Sequence, residues 1–114
     1  MIQGIGCDIL KIERLKHILT TTPAFLKHTY SKKELIEYQK RNCDIYYLAT
    51  RFAAKEAIVK ALSKYNNDLN SIEILNDDLG KPYVMIQGQQ QPQIQISLSY
   101  ETDYAIAYAV LSSI

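Results

Sequence analysis

The sequence predicts an α+β domain, in which an N-terminal strand and three helices pack on a mainly antiparallel sheet. The apolar residues carry this prediction, because they recur at helical spacing up to about residue 63 and alternate with polar residues after residue 71. The length agrees with it, since a chain of 114 residues buries roughly two-thirds of its unfolded surface around one core. We therefore expect residues 1–114 to form a single domain.

The chain begins with a predicted strand and helix. Residues 2–7 combine apolar side chains with glycine, which is typical of a short strand that approaches another backbone closely, and this strand is expected to end at Asp8. Apolar residues from Ile9 onward recur at helical spacing and predict a first helix. Pro23 is expected to stop this helix, because proline disfavours the α conformation of the residue before it.

Two further helices are indicated by their N-terminal caps. Ser31 and Glu34 have the spacing of a capping box and predict a short helix that ends near Arg41. Asp44 is a suitable N-cap for a long helix over residues 45–63. The long helix carries small residues that permit close packing on a sheet, namely Ala49, Ala53, Ala54, Ala57 and Ala61.

The C-terminal half predicts the sheet. Its four strands are expected at residues 71–76, 82–87, 93–99 and 104–111. The last strand is apolar on both faces, which predicts a central position with burial on both sides and with its alanine face against a helix. Residues 65–68 and the glutamine-rich segment 88–92 are predicted to be loops from their composition.

Composition and charge exclude several classes of protein. Thirteen Lys and Arg against twelve Asp and Glu give a net charge of +1, without the basic excess that is usual in nucleic-acid-binding proteins. No apolar run reaches the roughly 20 residues of a membrane helix, and no secretory signal is visible. Cys7 and Cys43 are expected to be buried free thiols. We expect a soluble cytoplasmic protein with no membrane or nucleic-acid partner.

Charged side chains stand in two stretches where packing alone does not require them. Asp8 follows the glycine-bearing strand, and the long helix carries Arg51, Lys55, Glu56 and Lys60 among its alanines. One interpretation is a solvated helix edge with weak surface ion pairs. The other is a pair of carboxylates, Asp8 and Glu56, that holds a hard divalent cation beside basic residues suited to phosphate. The spacing leaves both interpretations open, because it does not show that the two carboxylates meet.

The same stretches belong to a series of ordered motifs. These are Gly4-Ile5-Gly6 with Asp8-Ile9, Ile12-Glu13-Arg14, Arg51-Phe-Ala-Ala-Lys-Glu-Ala57 with Lys60-Ala-Leu62, Gly80-Lys81-Pro82, and Ser97-Leu98-Ser99 with Tyr104-Ala105. In this order the chain resembles the holo-acyl-carrier-protein synthases, which are small AcpS-type phosphopantetheinyl transferases. The resemblance implies that family's fold. It also implies the family's reaction, in which 4′-phosphopantetheine moves from coenzyme A to a serine of apo-acyl carrier protein and adenosine 3′,5′-bisphosphate is released.

The resemblance also implies roles for individual residues. Asp8 and Glu56 would be the Mg²⁺ ligands, and Lys60 would contact the coenzyme A phosphates and stabilise charge on the leaving group. Glu56 would act as the general base for the serine hydroxyl, directly or through water. Further coenzyme A contacts would come from Arg51, Lys55, Gly80, Lys81, Pro82 and Ser99, and contacts with the acidic face of the carrier protein from Lys11, Arg14 and Lys16. Because the family forms trimers with sites in clefts between subunits, a homotrimer is expected.

Two positions depart from the family's pattern. Tyr100 stands where the family usually has histidine, and because a tyrosine stays neutral at pH 7, a cationic or basic role is lost there. Ser63 stands where the family usually has glycine, at a cost of about 1 kcal/mol if the helix ends in a left-handed conformation. These changes leave a non-catalytic module that binds coenzyme A or carrier protein as a second hypothesis. A third hypothesis, a small nucleic-acid-binding domain, rests on the basic first helix alone.

Overall fold

Four helices and six strands form from the residues that the computed structural model describes, which are 1–63 and 68–113. The helices are α1 (Ile12–Thr21), α2 (Phe25–Thr29), α3 (Lys32–Lys40) and α4 (Ile45–Leu62). The strands are β1 (Ile2–Lys11), β2 (Ile72–Asn76), β3 (Pro82–Ile86), β4 (Gln89–Gln90), β5 (Ile94–Tyr100) and β6 (Tyr104–Ser112). A 3₁₀ turn at Leu69–Ser71 precedes β2.

The strands of the described residues pair into two antiparallel sheets of three strands each. The first sheet has the order β1–β6–β5 and the second the order β2–β3–β4. The predicted central position of the last strand is confirmed, since β6 pairs with β1 on one side and with β5 on the other. The register places Asp8 opposite Ala107 and Gly6 opposite Ala109.

Helix α4 lies across the first sheet in direct contact with the β1 backbone. A Cβ atom added at Gly6 would stand 1.9 Å from the carbonyl oxygen of Ala57, and one at Gly4 would stand 2.0 Å from that of Ala61. Only glycine fits at these two positions, because real Cβ atoms do not approach a neighbouring atom that closely. The glycines therefore bring the strand that carries Asp8 against the helix that carries the other candidate residues.

Alanine lines both sides of the contact between α4 and the first sheet. The five alanines of α4 and three of β6 are buried, which confirms the predicted alanine face: Ala49, Ala53, Ala54, Ala57, Ala61, Ala105, Ala107 and Ala109. The opposite face of β6 is not covered within one chain, since Tyr104 is 42% exposed and Tyr108 53% exposed. The expected burial on both sides is therefore wrong for a single chain. We call this surface, with Ile5 and Ile9 of β1, the open face.

The boundary between the first strand and the first helix differs from the prediction. β1 continues through Asp8 to Lys11, and Ile9 lies on this strand with its side chain 62% exposed. The pairing with β6 extends the strand as far as Lys11, and the amide of Ile12 donates to the carbonyl oxygen of Asp103 at 2.8 Å as the helix begins. α1 ends before Pro23 as predicted, whereas the short α2 was not predicted.

Both predicted N-caps are confirmed. The amide of Glu34 donates to Ser31 Oγ at 3.2 Å, and the amide of Ser31 donates to Glu34 Oε1 at 2.9 Å, which completes a capping box. Asp44 Oδ1 accepts from the amide of Tyr46 at 2.9 Å, and α4 begins at Ile45. These caps fix the first turns of α3, which carries Glu34, and of α4, which carries Lys55 and Lys60.

The two cysteines and one predicted loop differ in part from the predictions. Cys7 and Cys43 are free thiols, but both are exposed, so their expected burial is wrong; Cys7 lies on the open face. Most of the predicted loop 65–68 lies outside the described residues, and the predicted loop 88–92 contains the two residues of β4. Among the helices described, none combines the length and the apolar character needed to cross a membrane.

Helix α4 ends at a strained serine, and this predicts a stabilising substitution. Ser63 has φ 54° and ψ 29°, the left-handed conformation that glycine adopts without a steric penalty. We expect Ser63→Gly to raise the free energy of unfolding in urea by about 0.5–1 kcal/mol. Ser97→Gly, in β5, is the matched control and should lower it by a similar amount, because glycine weakens a strand. Equal changes in the two variants would contradict the assignment of strain to Ser63.

Candidate functional site

Asp8 of β1 and Lys60 of α4 are in contact where the strand crosses the helix. Lys60 Nζ donates to the carbonyl oxygen of Cys7 at 2.9 Å and to Asp8 Oδ1 at 3.4 Å. Asp8 points toward the helix, on the same face of the sheet as its partner Ala107, and its side chain is 20% exposed. Lys60 is 55% exposed, so its ammonium group is accessible from solvent. Glu56 lies one turn before Lys60 on α4 and is half-buried.

The electrostatics of this cluster disfavour two free carboxylates. Burial raises the pKa of Glu56, and the negative charge of Asp8 raises it further. Burial also raises the pKa of Asp8, against the opposing effects of Lys60 and, to a smaller extent, Arg14. Two partly desolvated carboxylates that repel each other are stabilised by a cation between them. The contacts of Lys60 with Cys7 and Asp8 tie this part of α4 to β1, and the interpretation as a metal site stays a prediction.

A cation with few protein ligands suits this pair best. Among residues 1–63 and 68–113, no group of three or more His, Cys, Asp and Glu side chains is placed to hold a metal ion. A site with only two carboxylates matches Mg²⁺, which is usually held by one or two carboxylates and completes its shell with water and substrate phosphates. Asp8 and Glu56 therefore fit Mg²⁺ better than a metal that needs a closed set of protein ligands.

Lys55 does not take part in this cluster. Its side chain is fully buried and its Nζ donates to Glu34 Oε1 at 2.6 Å, to the carbonyl oxygen of Leu69 at 2.9 Å, and to that of Ile72. All three N–H groups of the ammonium are used inside the protein. The prediction that Lys55 contacts phosphate is therefore wrong, because its partner Glu34 holds it in the interior.

Arg51 forms part of the wall of a cavity of about 520 Å³ beside the turn at residues 77–81. Its guanidinium stacks over the ring of Tyr47 at 4.3 Å and donates to Asn76 Oδ1 at 2.5 Å. The buried Nε of Arg51 has no hydrogen-bond partner within the described residues. The cavity is lined by Arg41, Arg51, Asn76, Gly80, Pro82, Ile96, Ser97 and Leu98. The structure thus brings three predicted contact residues together, with two arginines suited to an anion.

Lys81 and Ser99 do not line this cavity. Lys81 lines an adjoining cavity of about 510 Å³ that shares Asn76 and Pro82 with the first. Ser99 pairs with Ile106 on the open face, on the other side of the sheet from Asp8. Within one chain, the structure therefore does not bring Ser99 to the carboxylate cluster.

Tyr100, at the position that departs from the family, stacks on the start of α4. Its ring lies 4.6 Å from that of Tyr46, with 23° between the planes, and Tyr46 Oη donates to the carbonyl oxygen of Thr102 at 3.0 Å. A cavity of about 330 Å³ lies beside it and is lined by Ile9, Ser99, Tyr100, Glu101, Tyr104 and Ile106. The tyrosine is thus anchored at the edge of a cavity on the open face.

The three basic residues predicted to bind the carrier protein are exposed: Lys11 at the end of β1, and Arg14 and Lys16 on α1. The charge of Arg14 reaches Asp8 and lowers the pKa of that carboxyl. Lys11 pairs with Tyr104 on the open face, on the other side of the sheet from Asp8.

Arg41 and Asn76 were not identified as candidate residues from the sequence. A cation at the end of α3 and an asparagine before a turn both have ordinary structural explanations, so the sequence offered no signal that singles them out. The fold places both in the wall of the Arg51 cavity.

Comparison with known proteins identifies the family. A model of the 4′-phosphopantetheinyl transferase superfamily matches residues 4–109. The chain belongs to this superfamily. The transferase is 39% identical to a holo-[acyl-carrier-protein] synthase of Clostridium tetani over 97% of this chain and 96% of the relative. It is 43% identical to the synthase of the same name from Protochlamydia amoebophila over 99% of this chain and 100% of the relative.

A solved structure confirms the fold class of the transferase. The holo-(acyl-carrier-protein) synthase of Bacillus anthracis, solved in complex with CoA (3′,5′-ADP), matches with a TM-score of 0.84 and 30% identity. The match covers 100% of this chain and 99% of that chain. The resemblance expected from the ordered motifs is therefore confirmed over the whole length, and the chain is a phosphopantetheinyl transferase.

Proposed function

We propose that this transferase moves 4′-phosphopantetheine from coenzyme A to a serine of apo-acyl carrier protein in a Mg²⁺-dependent reaction that releases adenosine 3′,5′-bisphosphate. The observation that carries the proposal is the cluster of Asp8, Glu56 and Lys60 at the crossing of β1 and α4. The curated relatives are named holo-[acyl-carrier-protein] synthases, and the relative from Bacillus anthracis was solved in complex with CoA (3′,5′-ADP).

Asp8 and Glu56 are the residues that would hold Mg²⁺. When bound, the ion supplies charge neutralisation to a pyrophosphate and to the oxygen that leaves the transferred phosphoryl group. The repulsion between the two carboxylates supports this role, since a cation stabilises both charges. The half-exposed side chain of Glu56 also leaves it accessible to substrate.

Lys60 and Glu56 are proposed to act on the reacting groups. The exposed ammonium of Lys60 stands next to the carboxylates, where it can donate to the leaving phosphate and balance its charge. Glu56 is proposed to accept the proton of the serine hydroxyl, directly or through water. Both side chains belong to α4, so one rigid element positions them relative to Asp8.

Arg51 and the turn at residues 77–81 are proposed to bind the nucleotide side of coenzyme A. The guanidinium of Arg51 is a cation suited to an anionic group in the cavity that Gly80 and Pro82 also line. Lys81 adds a cation at the adjoining cavity. Arg41 supplies a second guanidinium, and we add it to the residues expected from the sequence.

Lys11, Arg14 and Lys16 are proposed to bind the acidic face of the carrier protein. All three are exposed, and the charge of Arg14 reaches Asp8, which is where the serine of the carrier protein must arrive. Basic side chains on this surface would steer an acidic partner toward the carboxylate cluster. The two free cysteines are compatible with a reducing compartment, and we propose the cytoplasm.

We propose a homotrimer whose sites lie between subunits. The open face supports this, because it exposes Ile5 by 71%, Ile9 by 62% and Tyr108 by 53%, and contiguous apolar surface of this kind marks an interaction site. A neighbouring subunit could also supply Ser99, which one chain keeps away from its own Asp8. Sedimentation equilibrium is expected to give about three times the 13.1 kDa of one chain. Tyr108→Glu should reduce this mass, and a wild-type monomer would contradict the proposal.

The activity is tested by the intact mass of apo-acyl carrier protein after incubation with the transferase, coenzyme A and Mg²⁺. The carrier protein is expected to gain one phosphopantetheine, and EDTA is expected to prevent the gain. Restoring Mg²⁺ to the EDTA sample is the control that separates metal removal from damage to the protein. Coenzyme A binding without any mass gain would instead support a non-catalytic module, and Tyr100→His would then be the variant to examine first.

A further inference from the structure

The side chain of Asn76 joins the buried guanidinium of Arg51 to the turn that follows β2. Arg51 Nη2 donates to Asn76 Oδ1 at 2.5 Å, and Asn76 Nδ2 donates to the carbonyl oxygen of Gly80 at 2.9 Å. A guanidinium only donates hydrogen bonds and a carbonyl only accepts them. A residue between them must therefore offer one acceptor and one donor, and the side-chain amide of asparagine supplies both.

The turn beyond Asn76 is held together by Asp77. Asp77 Oδ1 accepts from the amides of Leu79 and Lys81, both at 2.9 Å, and the amide of Asp77 donates to the carbonyl oxygen of Lys81 at 2.9 Å. These bonds make the turn a compact unit, and β2 and β3, which lead into it and out of it, pack on α4 through Ile72, Ile74 and Val84. Asn76 adds a polar link at the turn itself, because its Nδ2 donates to the carbonyl oxygen of Gly80 and its Oδ1 accepts from Arg51 of α4.

Arg51 depends on the same residue. Its other contacts, with Thr50 Oγ1 at 3.2 Å and with the ring of Tyr47 at 4.3 Å, come from its own helix. Asn76 is the partner of Arg51 on the side of β2 and β3, and both residues line the cavity that Gly80 and Pro82 complete. A guanidinium held from two sides keeps its remaining N–H donors in fixed directions.

We propose that Asn76 is a positioning residue for coenzyme A: it orients Arg51 and fixes the Gly80 turn so that both face the same anionic group of the ligand. The inference rests on the proposed function, because it takes coenzyme A as the ligand of this cavity. Asn76 acts through Arg51 and the turn and not through its own contact with the reacting atoms. Its loss should therefore weaken binding while leaving the chemical step intact.

Asn76→Ala tests the proposal, with Asn70→Ala as a matched control. Asn70 Nδ2 also donates to a backbone carbonyl, that of Lys27 at 3.3 Å, but it lies outside the cavity. Asn76→Ala should raise the Kd for coenzyme A, measured by titration calorimetry, by about tenfold, and it should raise the KM for coenzyme A by a similar factor. The kcat should stay within about twofold of wild type. Asn70→Ala should leave Kd, KM and kcat unchanged.

A double variant shows whether Asn76 acts through Arg51. In an Arg51→Gln background, Asn76→Ala should raise the Kd by clearly less than tenfold, because only its effect on the Gly80 turn remains. A full tenfold effect in that background would overturn the proposed route. An unchanged Kd for Asn76→Ala in the wild-type background, or a fall in kcat with KM unchanged, would overturn the proposal itself.

Amide hydrogen exchange tests whether Asn76 fixes the turn independently of whether the protein binds coenzyme A. The amide of Gly80, which donates to the carbonyl oxygen of Asp77 at 3.0 Å, should exchange faster in Asn76→Ala than in wild type or Asn70→Ala, without any ligand present. If wild type fails to bind coenzyme A, the proposed function fails, and the claim that Asn76 fixes the turn is still decided by this measurement. Unchanged exchange of Gly80 would overturn that claim.

Discussion

Asp8→Asn and Glu56→Gln are each expected to lower the rate of phosphopantetheine transfer by about 10³-fold or more. Either substitution removes one of the two carboxylates that would hold Mg²⁺, and Glu56→Gln also removes the proposed base. Intact mass of the carrier protein over time measures the rate. Asp103→Asn removes an exposed carboxylate in the turn between β5 and β6 and should keep wild-type activity.

Thermal unfolding distinguishes this loss of activity from loss of structure. In EDTA, Glu56→Gln should be at least as stable as wild type, because it removes a partly desolvated carboxylate that faces Asp8. Added Mg²⁺ should raise the melting temperature of wild type and leave that of both variants unchanged, since a ligand stabilises only a chain that binds it. Turnover retained in either variant, or an equal Mg²⁺ effect in all three proteins, would contradict the site.

Lys55→Met is expected to lower the free energy of unfolding by about 3–5 kcal/mol. The variant leaves the carboxylate of Glu34 in the interior without its cation, together with the carbonyl oxygens of Leu69 and Ile72. This loss is a large fraction of the roughly 5–15 kcal/mol that stabilises a typical domain. Urea unfolding measures it, and the transition should move to a clearly lower concentration.

An exposed ion pair provides the matched control. Arg41 and Glu37 meet at 2.9 Å with side chains 42% and 41% exposed, and Glu37→Gln should cost less than about 0.5 kcal/mol. The buried pair of Lys55 and Glu34 can also be tested by removing both charges. Adding Glu34→Gln to Lys55→Met should recover about 1 kcal/mol or more, because the uncompensated charge disappears. Additive losses would show that Lys55 stabilises the fold through packing alone.

The sequence predicted the elements that local signals define. The capping box at Ser31, the N-cap at Asp44 and the alanine face of β6 each depend on a few neighbouring residues, and the structure confirms all three. The start of α1 was wrong because apolar residues near Ile9 fit both a helix and a strand, and the choice depends on the pairing of Ile9 with Ile106, almost a hundred residues later.

Parts of the candidate site depend on long-range contacts that spacing does not contain. Lys55 follows Arg51 by one helical turn, and nothing near it in the sequence shows that it binds Glu34. The proximity of Asp8 to Lys60 likewise depends on how β1 crosses α4. The family resemblance supplied the candidate residues, whereas their burial and their distribution over two faces of the sheet came only from the fold.

The glycines of β1 set the tolerance of the site to change elsewhere in the protein. At Gly4 and Gly6 the backbone of β1 contacts the backbone of α4 directly. No side chain therefore separates the strand of Asp8 from the helix of Glu56 and Lys60. Substitutions that alter side-chain volume in the rest of the core therefore alter packing without widening this gap. A methyl group at Gly6 would push β1 away from α4, because it would clash with the carbonyl oxygen of Ala57. It would thereby move Asp8 away from Glu56 and Lys60 without contacting any of the three.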